Sequence, residues 1–482
     1  MDNVYKSIER LINYAERNLG LDKRNEDYVR NGIFRLFGLD SYSGQTAQSE
    51  DTTPEKLLSD FVEACINARL FTSDESAYYC DAVMGELMLS PKDTQDEFIK
   101  IAGSDGNKQA MTWFYDYCVK GDYVKKAQLE RNPRFESEGL IVTINKAKPE
   151  FRDPKKAVSG NSTKGGYPKC SICHSNEGFA GRNKRTLRTV DITLGGEKWF
   201  WQFSPYGYFN QHGIAVNYNH TPMHVDKATF IRLMDFVDMF PHYFIGCNAP
   251  LPRIGGSVLA HDHYQGGGEI LPMHKAAAAC TLKCPRHADA VVEVVDWQGT
   301  VIRVVSQNRS SIVELSDIIL KKWNGYDNEA LGIVHEDVDG VHNAISPTVV
   351  KTKRGYEMSI ILRSNLTSKE YPDGVFHAHP EYHMIKKESI GLIEAQGLFI
   401  LPGRLEGQLK EIENFIENKK PLPPEYAEFK LIYDEVKAIG GDVHEAMRKE
   451  LGSICNRILE NTAVFKDKKQ TVKFLTDLGF EI

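Results

Sequence analysis

The chain has 482 residues, too many for one ordinary hydrophobic core, so roughly two or three domains are expected. At 41% hydrophobic and 26% charged it has the composition of a globular protein, and nothing in it suggests a large disordered region. Against 59 basic residues stand 66 acidic ones, a formal net charge of −7, and no basic stripe suited to duplex nucleic acid stands out. A small anionic substrate is still compatible, because a few converging Arg, Lys and backbone N–H groups suffice to bind phosphate.

Charges interrupt every apolar run from Met1 to Gly20, so the N-terminus does not read as a signal peptide. No stretch has the length of apolar residues that a bilayer span requires. Nine cysteines, an odd number without a regular framework, point to reduced thiols and a cytoplasmic setting. From residue 1 to 137 apolar residues recur at three- and four-residue spacing, which predicts a helical N-terminal domain. Asp51-Thr52-Thr53-Pro54 reads as a helix start.

The character changes near residue 138, where GLIVTINKA alternates like a strand. A polar Gly/Ser/Lys-rich stretch follows from Asp153 to Lys169. A mixed α/β half is expected over 138–270. It holds a hairpin turning at Gly195-Gly196, a strand in HGIAVNYN, a helix in DKATFIRLMDFVDMF and a strand in HYFIGCN. A second mixed half is expected over 271–482. It holds hairpins around Trp297-Gln298-Gly299 and Arg354-Gly355, a helix in SSIVELSDIILKKW between them, and a helical C-terminal extension. Each half carries a His-x-His, at His261/His263 and His377/His379, which hints at two related halves and an α+β fold.

The segment Asn248 to Glu269 carries the most chemistry. On a strand, His261 and His263 share one face with Gln265, between Gly255-Gly256-Ser257 and Gly266-Gly267-Gly268. Glycine clusters let backbone N–H groups approach a phosphate closely. Neutral imidazole is a competent nucleophile toward phosphorus, and a glutamine two residues on can donate to a non-bridging oxygen. Cys170-x-x-Cys173 with His220 and His261 downstream forms a good tetrahedral zinc set, with a redox pair or two buried thiols as alternatives. Cys280, Cys284 and His287 form a second, incomplete group. On a strand, His377, His379, Glu381 and His383 would share a face that could bind metal or line a sugar- or phosphate-binding wall.

CSICHSNEGFAGR, NHTPMHV, FPHYFIGCNAPLPRIGGSVLAHDHYQGG and GVFHAHPEYHMIKKESIGLIEAQGLFILPGRL together resemble the galactose-1-phosphate uridylyltransferases. The likeness is to the class of Gram-positive bacterial type, class II, and covers nearly the whole chain. It implies two histidine-triad-like α+β halves with an added helical N-terminal domain. It also implies His263 as the uridylylated nucleophile and Gln265 as the residue that holds the phosphoryl oxygens. Asn248, Gly256 and Ser257 approximate the phosphate- and uridine-contacting loop, and Glu394 and Gln396 lie near the sugar-hydroxyl contacts. Cys170, Cys173, His220 and His261 fall on the ligands of a structural zinc (Zn), although Asp262 stands where the family has proline. The implied substrates are UDP-glucose and galactose 1-phosphate, in a ping-pong cycle of the Leloir pathway, and the implied assembly is a homodimer.

Three other readings stay open on the residues. One is a nucleotide hydrolase or dinucleoside-polyphosphate phosphorylase using the same nucleophile. Another is a non-catalytic zinc-stapled module. The third is a metal-dependent oxygenase or hydrolase centred on His377, His379 and His383.

Overall fold

A computed structural model describes residues 1–42, 44, 47, 52–146, 166–256 and 258–482. Asp51 and most of the polar stretch after Asp153 lie outside the described residues. The N-terminal third is helical: α1 (Asp2–Asn18), α2 (Glu26–Phe37), α3 (Pro54–Asn67), α4 (Ser76–Leu87), α5 (Pro91–Ser104) and α6 (Asn107–Lys120). Thr53 caps α3 by accepting the Lys56 N–H, and Pro54 occupies the first turn, where its missing donor costs nothing. In α1, Val4, Ile8, Leu11, Ile12 and Ala15 form one buried stripe at helical spacing. That stripe packs on Leu57, Leu58 and Phe61 of α3. Helices α5 and α6 instead contribute Phe98, Met111 and Phe114 to the main core of the mixed region.

Two short strands, β1 (Arg134–Ser137) and β2 (Leu140–Asn145), form a hairpin. The main sheet begins with β3 (Val190–Leu194), β4 (Glu197–Phe203) and β5 (Gly213–Asn217), followed by helix α7 (Lys227–Met239), β6 (Phe244–Gly246) and β7 (His263–Gly267). It continues with β8 (Ala278–Lys283), β9 (Ala290–Val295), β10 (Val301–Ser306) and helix α8 (Arg309–Asn324). After a small hairpin, β11 (Glu336–Asp337) and β12 (Gly340–Val341), come β13 (Asn343–Thr352) and β14 (Gly355–Ser364). The last strand, β15 (Leu398–Pro402), pairs in parallel with β2, well over two hundred residues earlier. Helices α9 (Leu405–Glu417), α10 (Lys430–Ile439), α11 (Val443–Thr462) and α12 (Lys468–Thr476) complete the chain, and the first three bury their apolar faces in a second core that includes Val142 and Phe399 of the small sheet.

Ten strands make one antiparallel sheet in the order β3-β4-β5-β7-β6-β13-β14-β10-β9-β8. Each half runs three strands, a helix, then two strands, and the order of the second half mirrors the first. The halves meet where β6 pairs β13, with Gly246 opposite Thr348. The fold is therefore α+β, with a helical N-terminal region and two topologically equivalent halves. The expected hairpins all form, and Gly195 and Gly196 take φ +60° and +75°, the left-handed pair that a two-residue hairpin turn demands.

One expectation is corrected. His377 and His379 lie not on a strand but in a coil beyond β14, ending in a 3₁₀ turn at Pro380–Tyr382. The turn replaces the common face expected for His377, His379, Glu381 and His383. The second His-x-His is thus not the counterpart of the first, and the repeat is carried by strand order instead.

Close backbone packing pins the centre of the sheet. A Cβ on Gly266 would sit 2.3 Å from the Phe244 carbonyl oxygen, and one on Gly213 would sit 2.4 Å from the Trp201 ring. Gly266→Ala is expected to destabilise the fold by about 2–3 kcal/mol, because a backbone oxygen cannot move aside as a side chain can. A urea melt checks this, and an unchanged midpoint would contradict it.

Candidate active site and metal centre

His263 opens β7 and pairs with Val216 of β5. Strand alternation sends Tyr264 into the main core, where it stacks on Trp199 with ring centroids 4.7 Å apart. His263 and Gln265 are left on the other face. The His263 Nδ1 lies 2.7 Å from the His261 carbonyl oxygen. A carbonyl only accepts, so Nδ1 carries the proton and Nε2 carries the lone pair. Burial holds the His263 pKa below the ordinary histidine value, which keeps the ring neutral. The result is an imidazole in one tautomer whose nucleophilic nitrogen has no hydrogen-bond partner among the described residues.

His261, which the sequence places on the strand, precedes it in the structure, and its ring turns toward two cysteines. Its Nε2 donates to the Asn217 carbonyl at 2.7 Å, leaving the Nδ1 lone pair 3.3 Å from Cys170 Sγ and 3.6 Å from Cys173 Sγ. Cys173 Sγ lies 3.1 Å from His220 Nδ1 and 3.3 Å from Cys170 Sγ. Ligand atoms of all four residues lie within 4.8 Å of one another. A tetrahedral zinc with ordinary Zn–S and Zn–N bonds has edges of roughly 3.3–3.8 Å, close to the 3.1–3.6 Å spacings here. Burial, with the Cys173 thiol beside it, pushes the Cys170 thiol up to about 11, so its thiolate form needs a cation beside it. Burial likewise pulls His261 down to about 4, leaving the neutral imidazole that a metal requires. The cluster can hold a metal ion. It is the one such group among the described residues: His287 bonds Ser311 and Glu314 rather than joining Cys280 and Cys284.

Two supporting residues escaped the sequence reading. Asn217 orients His261, as above. Asn176 is fully buried and donates from Nδ2 to the carbonyls of Cys170 and Cys173, both at 2.8 Å, fixing the knuckle between the thiols. Its position three residues after Cys173 was the available signal. Asn176→Ala is expected to weaken metal binding about 10- to 100-fold, the usual effect of losing an outer-shell partner. Competition against a chelator measures this, and unchanged metal retention would contradict it.

Asp262, between the two histidines, is fully buried, and its carboxylate has no hydrogen-bond partner among the described residues. Burial raises it to about 6, opposed by His224 and Arg232. It shares the Tyr264 face, away from His263.

Asn248 lies two residues beyond Gly246, which pairs with Gln265, so it flanks the His263 end of β7. Its Oδ1 accepts the Leu392 N–H at 2.9 Å, while Nδ2 is buried without a partner among the described residues. Gly256 folds back on Asn248: a Cβ there would come within 2.8 Å of Nδ2. Ser257 lies outside the described residues. Arg363 of β14 donates to the Ile390 carbonyl at 2.7 Å, while its Nε and Nη1 are buried and likewise unpartnered. Asn248 and Arg363 thus grip the same segment, 390–392.

The second-half candidates are committed locally. His377 Nδ1 lies 3.2 Å from the Ala378 carbonyl, His379 Nε2 lies 3.1 Å from the Val375 carbonyl, and His383 Nε2 lies 3.0 Å from the Ala378 carbonyl. His379 also stacks on Tyr371 with centroids 4.1 Å apart. Glu394 is buried, pairs with Lys386 at 2.5 Å and accepts the Gly391 N–H at 3.0 Å. Gln396, also buried, meets His274 at 2.7 Å and Thr348 at 3.2 Å.

No helix among the described residues is long and apolar enough to cross a membrane. Two family models match the chain: "Galactose-1-phosphate uridyl transferase, N-terminal domain" over residues 22–222 and the corresponding C-terminal domain over residues 236–425. The chain is 55% identical to the galactose-1-phosphate uridylyltransferase of Bifidobacterium longum, over 100% of this chain and 99% of that one. It is 34% identical to the proteins of that name from Caldanaerobacter subterraneus, over 98% of each, and Lactococcus lactis, over 97% of each. Among solved structures it is similar to a yeast Ap4A phosphorylase at 12% identity and TM-score 0.37, over 65% of this chain and 93% of that one, a likeness too loose to argue from. With both domain models and full-length relatives in agreement, the chain belongs to the galactose-1-phosphate uridylyltransferase family and is a transferase of galactose metabolism.

Proposed function

We propose that the protein moves UMP from UDP-glucose to galactose 1-phosphate, as in the Leloir pathway, through a covalent uridylyl-His263. The observation that carries this reading is the neutral His263 imidazole, with its proton fixed on Nδ1 by the His261 carbonyl and Nε2 without a hydrogen-bond partner among the described residues. His263 Nε2 attacks the α-phosphorus of UDP-glucose. The N–P bond forms as the P–O bond to glucose 1-phosphate breaks, and the phosphate leaves as an anion. A phosphate oxygen of galactose 1-phosphate then attacks the same phosphorus, the N–P bond breaks, and UDP-galactose leaves with the imidazole restored.

Both attacking groups carry their own electron pairs without losing a proton first, so no general base is required. Positioning and charge stabilisation therefore supply most of the rate. Gln265, on the His263 face, is assigned to the non-bridging oxygens. The free donors of Asn248 and Arg363 suit an anionic substrate, since a buried N–H without a partner costs about 1–3 kcal/mol. The Gly256 turn beside Asn248, continued by Ser257, is read as part of the same phosphate wall. His377, His379 and Glu394 act in this reading by shaping the segment that closes over the sugar.

Cys170, Cys173, His220 and His261 would hold a structural zinc, which supplies a rigid tether rather than a chemical step. His261 connects the two centres, because its ring faces the cluster while its carbonyl holds His263. The reading is tested by incubating the protein with UDP-glucose and isotopically labelled glucose 1-phosphate, with no galactose 1-phosphate present. Label should enter UDP-glucose, as a double-displacement cycle requires. Exchange only in the presence of galactose 1-phosphate would rule out the covalent intermediate.

A further inference from the structure

The mechanism above gives Gln265 a task that its side chain cannot perform in an arbitrary orientation. A carboxamide presents an oxygen on one side and an N–H2 on the other, and only the N–H2 stabilises a phosphoryl oxygen. Something must set which way it points.

The sheet register places a candidate beside it. Ile214 pairs with Gln265, so His212, two residues earlier and on the same face by alternation, is the diagonal neighbour of Gln265. His212 is buried, and the register brings Gln265 alongside it. Its Nδ1 accepts the Tyr208 N–H at 3.4 Å, so the proton resides on Nε2. That Nε2 is buried and has no hydrogen-bond partner among the described residues. A buried donor left in this state is unfavourable, and the register makes the Gln265 carboxamide the polar group nearest to hand for it.

The loop that carries His212 is held rigidly. Ser204 N–H bonds the His212 carbonyl at 2.9 Å and His212 N–H bonds the Phe209 carbonyl at 3.2 Å, closing the turn between β4 and β5. Gly268 N–H bonds the Asn210 carbonyl at 3.0 Å, and Tyr243 Oη donates to Gln211 Oε1 at 2.6 Å. A Cβ on Gly267 would meet Phe209 at 2.5 Å, so the loop rests directly on the end of the nucleophile strand. Gln211 takes φ +56°, a conformation that side chains seldom adopt and that tertiary packing must hold. Rings of Tyr208 and Phe209 flank the imidazole, with centroids 5.1 and 4.5 Å away. Burial keeps the ring neutral, pulling it down to about 4, so its single donor persists across the working pH range.

We infer that His212 is a positioning residue: its Nε2–H holds the Gln265 oxygen and thereby turns the Gln265 N–H2 toward the phosphoryl group transferred at His263. This rests on the role proposed for Gln265, and the test separates the two. Initial rates of uridylyl transfer are measured for Gln265→Ala, His212→Phe, His212→Gln and the Gln265→Ala/His212→Phe double variant. Thermal melts report whether each is folded.

His212→Phe keeps the flat ring but removes the donor, and kcat should fall about 10- to 100-fold with KM within about twofold. His212→Gln restores an N–H near the Nε2 position and should recover most of that loss. In the Gln265→Ala background, His212→Phe should cost nothing further, because the group it positions is gone. An equal loss in both backgrounds would show a general structural role and overturn the inference, as would unaltered kcat in His212→Phe. If Gln265→Ala retains wild-type kcat, the Gln265 assignment itself fails, and His212 with it. Should His212→Phe not fold, His212→Leu supplies the same comparison.

Discussion

His263→Ala is expected to abolish uridylyl transfer, lowering kcat by on the order of 10⁴-fold or more, as loss of a covalent nucleophile does. No neighbouring ring substitutes for it. His261 has Nε2 committed to the Asn217 carbonyl and Nδ1 aimed into the cysteine cluster. His212 has its Nδ1 lone pair on the Tyr208 N–H. The fold should survive, because the His263 ring makes one hydrogen bond, to a backbone carbonyl, while the strand is held by main-chain pairing on both sides. Initial rates with UDP-glucose and galactose 1-phosphate measure the effect. A loss below about tenfold would remove His263 from the nucleophile's role.

The second large effect belongs to the metal cluster. Cys173→Ala removes the thiol that lies within 3.6 Å of Cys170, His220 and His261 ligand atoms. Three ligands bind zinc much more weakly than four, and the loss of a structural metal is among the largest single-site effects on stability. Bound metal measured by elemental analysis should fall from about one ion per chain to near zero. Stability should drop by more than about 4 kcal/mol. Transfer activity should fall as well, since His261 supplies the carbonyl that fixes the His263 tautomer. Wild-type protein without metal, yet with full stability, would contradict the structural role.

Local signals in the sequence proved dependable. Gly195-Gly196 marks a hairpin because two adjacent residues at positive φ are needed there. The helix of 227–239 is announced by Asp226, whose side chain accepts the Thr229 N–H at 3.0 Å, and by its apolar spacing. The four cluster residues were legible because donor chemistry restricts the choice, even though His220 and His261 are far from the cysteines in sequence. The pairing of β2 with β15 was not legible, since nothing in either strand encodes a partner so distant.

The second His-x-His misled for a definable reason. Period-two spacing reads as a strand, but the residue after His379 is proline, and the ring nitrogens find nearby carbonyls instead of a sheet. Asn176, Asn217 and His212 were overlooked because each acts through a backbone carbonyl or another side chain. Apart from the spacing of Asn176 from Cys173, such residues carry no motif, and the assembled geometry shows what they hold.

The most direct test of the covalent mechanism is intact mass spectrometry of the protein after exposure to UDP-glucose alone. The expected result is a mass increase of one uridylyl group, absent in His263→Ala and discharged on adding galactose 1-phosphate. Folded, substrate-saturated protein with no adduct, or an adduct that persists in His263→Ala, would contradict the assignment of His263.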